Sequence, residues 1–427
     1  MRSLALVFAF SFAAGAAPKD PTVTFSKDVA PILQQRCQGC HRPGEAAPFS
    51  LLTYEQARPW AKAIREAVVL KKMPPWFADP HYGSFSNDRS LPQKEITTLV
   101  AWADGGALEG NPKDLPPAIS FVEGWRIGKP DIEFEMPQDI PVPAKGTIEY
   151  TYVVVPTGFK EDRWVRMVEA RPGNRALVHH IVAFVREPGS KWMKRAQPGI
   201  PFVPAKGEDD SFGGEFLVGY APGTVPEVME PRQAKLIKAG SDIVLQMHYT
   251  ANGTAGTDRS RIGLVFATEA PRERVLTLGA TNEDFVIPPG APNQRVDSEF
   301  EVGTDVKLVG LLPHMHLRGK DFEYRLVFPT GETQTILSVP RYSFSWQLSY
   351  YPVKPILLPK GTKIVCTAHY DNSANNADNP DPGKEVRYGD QSWEEMMIGF
   401  FNVSFDAKME VKKLFPDKQS DSKPSAE

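Results

Sequence analysis

Two different periods of apolar residues divide this chain. Between residues 27 and 105 the apolar positions recur at helical spacing. Ser26 can cap a helix over Lys27 to Arg36. Thr53-x-x-Gln56 reads as a capping box opening a helix that runs to about Leu70. Pro92 starts a third helix, with Ile96, Leu99, Val100 and Ala103 on one face and Gly105 as its stop. From Ile148 the pattern changes to short alternating or continuous apolar runs between turn signals. Such runs include residues 149–155, 164–169, 177–185, 243–249, 261–267, 307–312, 322–328, 363–369 and 396–405. Pro329-Thr330-Gly331-Glu332 is a hairpin turn. The pattern predicts β-sandwiches. Some 280 residues is long for one sandwich, so two are expected, meeting near 269–278.

Composition narrows the class. The chain has 427 residues, so several domains are expected. Its net charge is -3, with no basic block to meet nucleic acid. Forty prolines and 33 glycines suit short strands joined by turns. Arg2, the apolar run Leu4 to Ala14 and the small residues Ala14-Gly15-Ala16 read as a secretory signal over residues 1–16. That run is too short to span a bilayer comfortably, and no later stretch is long and apolar enough. A periplasmic or secreted protein is expected, with no transmembrane segment after signal cleavage.

Only three cysteines are present, Cys37, Cys40 and Cys366. Cys37-Gln38-Gly39-Cys40-His41 is the C-x-x-C-H pattern of covalent c-type haem attachment. The two thiols tether the macrocycle, and the adjacent imidazole reaches the iron. A zinc site would need a second ligand pair nearby, and none is present; a redox C-x-x-C is the other reading. The surrounding helices resemble a small class I cytochrome c. The sixth iron ligand is expected at Met73, in Lys72-Met73-Pro74-Pro75-Trp76, with His81 as the alternative.

The eight histidines point to a second chemistry. His314 and His316, two apart at the end of a strand-like run, project to the same side and can converge on one metal. Imidazole with a thioether suits copper cycling through Cu(I). His179 and His180 are adjacent, so both can serve one metal only where the strand ends or bulges. His248 lies on the face opposite Ile243, Leu245, Met247 and Tyr249, as for a residue lining a cleft. Glu394-Glu395-Met396-Met397 places one methionine on each face of a strand, one for a metal and one for packing.

In order, His-His, Gln-x-His-Tyr, His-x-His-Leu-x-Gly-Lys and Glu-Met resemble the copper type II, ascorbate-dependent monooxygenase family, over about residues 130 to 410. That family includes the peptidylglycine alpha-hydroxylating and dopamine beta-monooxygenases. The resemblance implies two jelly-roll-like sandwiches, each carrying one copper, facing across a solvent-filled cleft. It implies that His179, His180 and His248 hold an electron-supplying copper. His314, His316 and Met396 would hold the oxygen-activating copper, with Met397 as the alternative thioether. Cys366 and His369 match no family ligand. Peptide-amidating members carry an Arg two residues before H-x-H to clamp a carboxylate; here that residue is Leu312, so a glycine-extended peptide is not expected.

The expected architecture is therefore multidomain: a small all-α cytochrome c domain followed by two all-β jelly-roll-like sandwiches. Its parts are a signal peptide (1–16), the cytochrome c domain (17–110), a proline-rich linker (111–130), the first copper sandwich (131–270), the second (271–415) and a disordered tail (416–427). The expected activity is C–H hydroxylation of a small-molecule substrate by O2, using two copper ions and one haem c. Electrons would come from an ascorbate-like reductant or another cytochrome, through the haem. Two other classes compete: a haem/copper electron-transfer or copper-binding protein without hydroxylase activity, and a metal-free β-sandwich scaffold displaying a cytochrome.

Overall fold

A computed structural model describes residues 22–205 and 213–416. The signal segment read at 1–16, and the tail beyond Pro416, lie outside the described residues. The chain divides into two compact units. The first holds residues up to 43 with 47–74 and 91–119; the second holds 44–46, 75–90 and everything from 120. The junction at 119/120 falls inside the stretch read as a linker.

The first unit is built on short helices. Chain entry is a π-helical turn, Phe25–Val29, running into the helix Ala30–Arg36. Ser26 does not cap it: the turn begins after Thr24, whose N–H donates to Asp28 Oδ2 at 2.8 Å, while the Ser26 hydroxyl is buried without a partner among the described residues. Thr53 Oγ1 accepts the Gln56 N–H, and Gln56 Oε1 accepts the Leu52 N–H at 2.9 Å, so the capping box closes one residue early. Pro59 interrupts the helix that follows, leaving Tyr54–Ala57 and Ala61–Val69 joined by a tighter turn. The helix Gln93–Asp104 follows Pro92 and ends at Gly105; it buries Ile96, Leu99 and Trp102 against Phe25, Leu33 and Ile64.

The second unit contains all the strands among the described residues. One sheet runs through it, in the spatial order Ile132–Glu135, Arg261–Phe266, Arg163–Arg171, Gln233–Ile237, Glu273–Asn282, Met397–Asp406, Val306–His314 and Ile356–Leu358. A ninth short strand, Glu227–Val228, pairs with Arg163–Arg171. Two four-stranded sheets cover it. Thr151–Pro156, Asp242–Tyr249, Val178–Arg186 and Glu215–Tyr220 bury Val153, Ile181 and Leu245 against Val165 and Ile262 of the first half. Gln294–Glu301, Lys363–Tyr370, Gly319–Val327 and Thr333–Val339 bury Val296, Ile364 and Phe322 against Leu308 and Phe401 of the second.

The halves meet through a short parallel pairing, Gln233 and Ala234 with Glu273 and Arg274. Beside it Lys235, 1% exposed, pairs with Glu227 at 2.9 Å and donates to the carbonyls of Phe216 and Leu217. A cation so deeply buried persists only with such partners.

The expected architecture is therefore corrected. The described residues are predominantly β, and the helices among them are short and confined to residues before 105, apart from single 3₁₀ turns. It is not an all-α cytochrome c domain in series with two jelly rolls. Among the described residues the longest helix has 12 residues; the prolines that punctuate this region keep its periodic segments brief. Two layered sandwich halves are present, but they share one continuous sheet. Strand periodicity reports which face of a strand is buried and is silent on which strand lies beside it, so this merger left no trace in the pattern.

Candidate metal centre

His180 and His248 face each other across antiparallel strands. Their Nδ1 atoms are 3.3 Å apart, and His179 Nδ1 is 3.2 Å from His180 Nδ1. The pairing register slips between Val178 and His180. This bulge turns two adjacent residues to one side, which a regular strand would forbid. Ligand atoms of all three imidazoles lie within 4.8 Å of one another. One of these nitrogens can donate to another, according to tautomer, but three this close cannot all be protonated. A cation held by nitrogens at about 2.0 Å places tetrahedral neighbours about 3.3 Å apart, so the spacing fits a metal. Burial keeps the group neutral: it lowers His179 to about 4 and His248 to about 3, and drives His180 well below the usual imidazole value.

His314 ends the strand Val306–His314, and His316 lies in the turn beyond it. Met315, between them, points into the core and is fully buried. The two rings are 5.2 Å apart, on the same side as the H-x-H spacing requires. His314 Nδ1 donates to Gln347 Oε1 at 2.7 Å and His316 Nδ1 to the Glu394 carbonyl at 3.3 Å. Both bonds reserve the Nε2 lone pair. His316 Nε2 is buried with no partner among the described residues, an orphaned acceptor that a metal would satisfy. Burial lowers His314 to about 4 and His316 further.

Glu395 holds this turn in place. Its carboxylate accepts the backbone N–H of His316 at 2.8 Å and of Arg318 at 2.6 Å. Burial pushes Glu395 up to about 8, an effect opposed by those two donors and by the Arg318 charge. The same anchor places Met396, 1% exposed, on a cavity it shares with His314 and His180. Met397 sits on the opposite face, in the core, where its sulfur accepts the Ser298 hydroxyl at 3.2 Å. Cys366 is also in that core, and His369 pairs with Asp321 at 2.6 Å on the far sheet.

The shared cavity measures about 60 Å³. Its walls include Phe184, Phe216, Leu312 and Phe400. Open solvent is not all that lies between the histidine groups. The Phe344 ring stacks on His179 at 4.8 Å and lies 5.8 Å from His316. The solvent-filled cleft implied by the resemblance is thus partly closed by one aromatic ring. Phe344, Gln347 and Tyr150 were not singled out from sequence: an aromatic or an amide in a loop or strand carries no local signature. Glu395 was visible only as the neighbour of Met396.

In the first unit His41 Nδ1 bonds the Phe49 carbonyl at 3.3 Å, which leaves Nε2 for a metal. Cys37 and Cys40 are free thiols, and burial pushes Cys37 up to about 12. A redox C-x-x-C needs a depressed thiol instead. Met73 is half-buried just beyond Ala61–Val69. His81 is exposed, bonded to Asp79 at 2.6 Å, and belongs to the second unit.

No family model matches this chain, and no curated protein matches it. Among solved structures it is similar to the VP2 subviral particle of infectious bursal disease virus, at 9% identity over 69% of this chain and 76% of that one, with a TM-score of 0.20. PNGF-II in a C2 crystal form gives 11% identity, 65% of each chain and a TM-score of 0.27. The CBM22 tandem domain of Paenibacillus barcinonensis Xyn10C gives 9% identity, 62% and 80%, and a TM-score of 0.13. At such scores these likenesses carry no argument. No helix among the described residues is long and apolar enough to cross a membrane.

Proposed function

We propose that this chain is an exported copper-dependent monooxygenase that hydroxylates a C–H bond with O2 and receives electrons through a haem attached at Cys37 and Cys40. The observation that carries this reading is one small cavity bordered by two groups of neutral, buried imidazoles, one of them with a thioether. His179, His180 and His248 would hold one copper; His314, His316 and Met396 would hold the other. Copper supplies one-electron redox chemistry at each group, and soft ligation by Met396 favours Cu(I). A haem tethered by Cys37 and Cys40, with His41 and Met73 to bind its iron, would supply a one-electron carrier.

The chain's own residues do the rest. Gln347 and the Glu394 carbonyl orient the imidazoles of His314 and His316. Glu395 fixes the turn that carries them. Phe184, Phe216, Leu312 and Phe400 give the cavity a largely apolar wall, which disfavours a charged substrate. Leu312, where a carboxylate clamp would stand, borders it directly.

A pure electron-transfer or copper-storage protein needs ligands but no cavity beside them, so the cavity favours the enzyme. The test is O2 uptake by copper- and haem-loaded protein with ascorbate, screened over small apolar substrates. Substrate-stimulated uptake that disappears in His316→Ala, with the three-histidine copper retained, supports the enzyme. Full copper loading with no stimulated uptake by any substrate supports the carrier.

A further inference from the structure

We propose that the cavity beside the histidine groups binds a small ligand through one hydrogen-bond acceptor, and that the Tyr150 hydroxyl is the donor that recognises it. Tyr150 is 3% exposed, and its hydroxyl has no hydrogen-bond partner among the described residues. Its ring lies edge-on to His180 at 5.3 Å and 4.7 Å from His248. It lines the cavity together with His180, His314 and Met396.

An unpaired buried hydroxyl is costly, and native proteins tolerate one where something else completes it. Other polar side chains on the cavity are already engaged. Gln246 Nε2 donates to the Tyr152 hydroxyl at 2.6 Å. Gln347 accepts from His314 and donates to the Phe344 carbonyl. Glu227 is paired with Lys235, and the Tyr220 hydroxyl accepts from Arg175. Thr224 donates to the Ala221 carbonyl. Each of these groups has at least one partner; among the described residues lining the cavity, the Tyr150 hydroxyl is the buried side-chain polar atom with none, and burial keeps it neutral. With apolar walls and no unpaired cation, the cavity fits a small ligand of apolar body with an acceptor atom turned toward the histidines. This rests on the copper reading, because the metal on the His180 group is the ligand's second partner.

Azide is the probe: it is small, carries acceptor atoms at both ends and gives an optical band when it joins Cu(II). It is titrated into the copper-loaded full chain and into Tyr150→Phe. The expected result is unchanged copper content and azide-free EPR spectrum, with azide binding about tenfold weaker in the variant, the loss of one hydrogen bond. Metal-free Tyr150→Phe should melt no lower than the parent, since the hydroxyl it loses had no partner. Equal azide affinity in both proteins, or a metal-free variant that melts several degrees lower, overturns the inference and leaves the copper reading standing. Failure of the variant alone to load copper likewise overturns the inference only, and failure of the parent chain to load copper overturns both.

Discussion

The Glu395 carboxylate accepts the backbone N–H groups of His316 and Arg318, two residues apart, and so holds the turn that follows His314. It also precedes Met396 in the chain, so one buried acid locates the imidazole and the thioether of a single group. Glu395→Gln keeps one acceptor oxygen but turns an amide donor toward a backbone N–H. Leaving a buried donor unpaired costs about 1–3 kcal/mol. The expected outcome is a lower melting temperature and loss of about one copper of two, with the three-histidine copper kept. Metal analysis beside calorimetry checks it.

The cross-strand pair His180 and His248 makes the opposite prediction. His248→Ala should remove the copper of the three-histidine group and leave that of His314, His316 and Met396. The remaining EPR signal should then be unaffected by changes at His179. Loss of both coppers in His248→Ala would mean that the groups load as one unit.

The buried imidazoles couple stability to pH in the metal-free protein. His179, His248 and His314 have folded values lowered by burial to about 4, 3 and 4. A lowered histidine is neutral in the folded state and takes up a proton on unfolding. Its contribution is therefore intact above the unfolded value of about 6.5 and is lost as pH falls through the folded value. Denaturant midpoints of metal-free protein should be level above about pH 7 and decline from about 6.5 to 4. A His248→Ala variant should decline less.

Gly399 tests the packing under the site. A Cβ there would lie 2.3 Å from the Cys366 sulfur, beneath the strand that follows Met396. Gly399→Ala must displace a core side chain and should cost about 1–3 kcal/mol. The double variant Gly399→Ala with Cys366→Ala should recover part of that loss, as read from denaturant midpoints.

Met73 tests the haem assignment. In the haem-loaded chain Met73→Ala should abolish a Met-to-iron charge-transfer band, while His81→Ala should leave it unchanged. A band that survives Met73→Ala removes Met73 as the axial ligand.

Much of the site was legible because the chemistry is local. The spacing of His314 and His316 fixes their common side, and they do share it, with Met315 sent into the core. The pair His179-His180 was legible only conditionally: spacing requires a bulge, and the bulge is there. What stayed hidden depends on distant chain segments. Gln347 reaches His314 across 33 positions, and Phe344 reaches His179 across more; neither residue type announces such a partner. Helical spacing located short helices, but it could not establish a domain, and strand spacing could not reveal that both sandwich halves share one sheet.

The most direct test of the account is the metal content of protein matured with its haem, with copper measured by elemental analysis and haem by optical spectrum, both per chain. The account predicts about two coppers and one haem. One haem with no copper after reconstitution would contradict it, because the imidazole groups around the cavity would then be packing and not ligands.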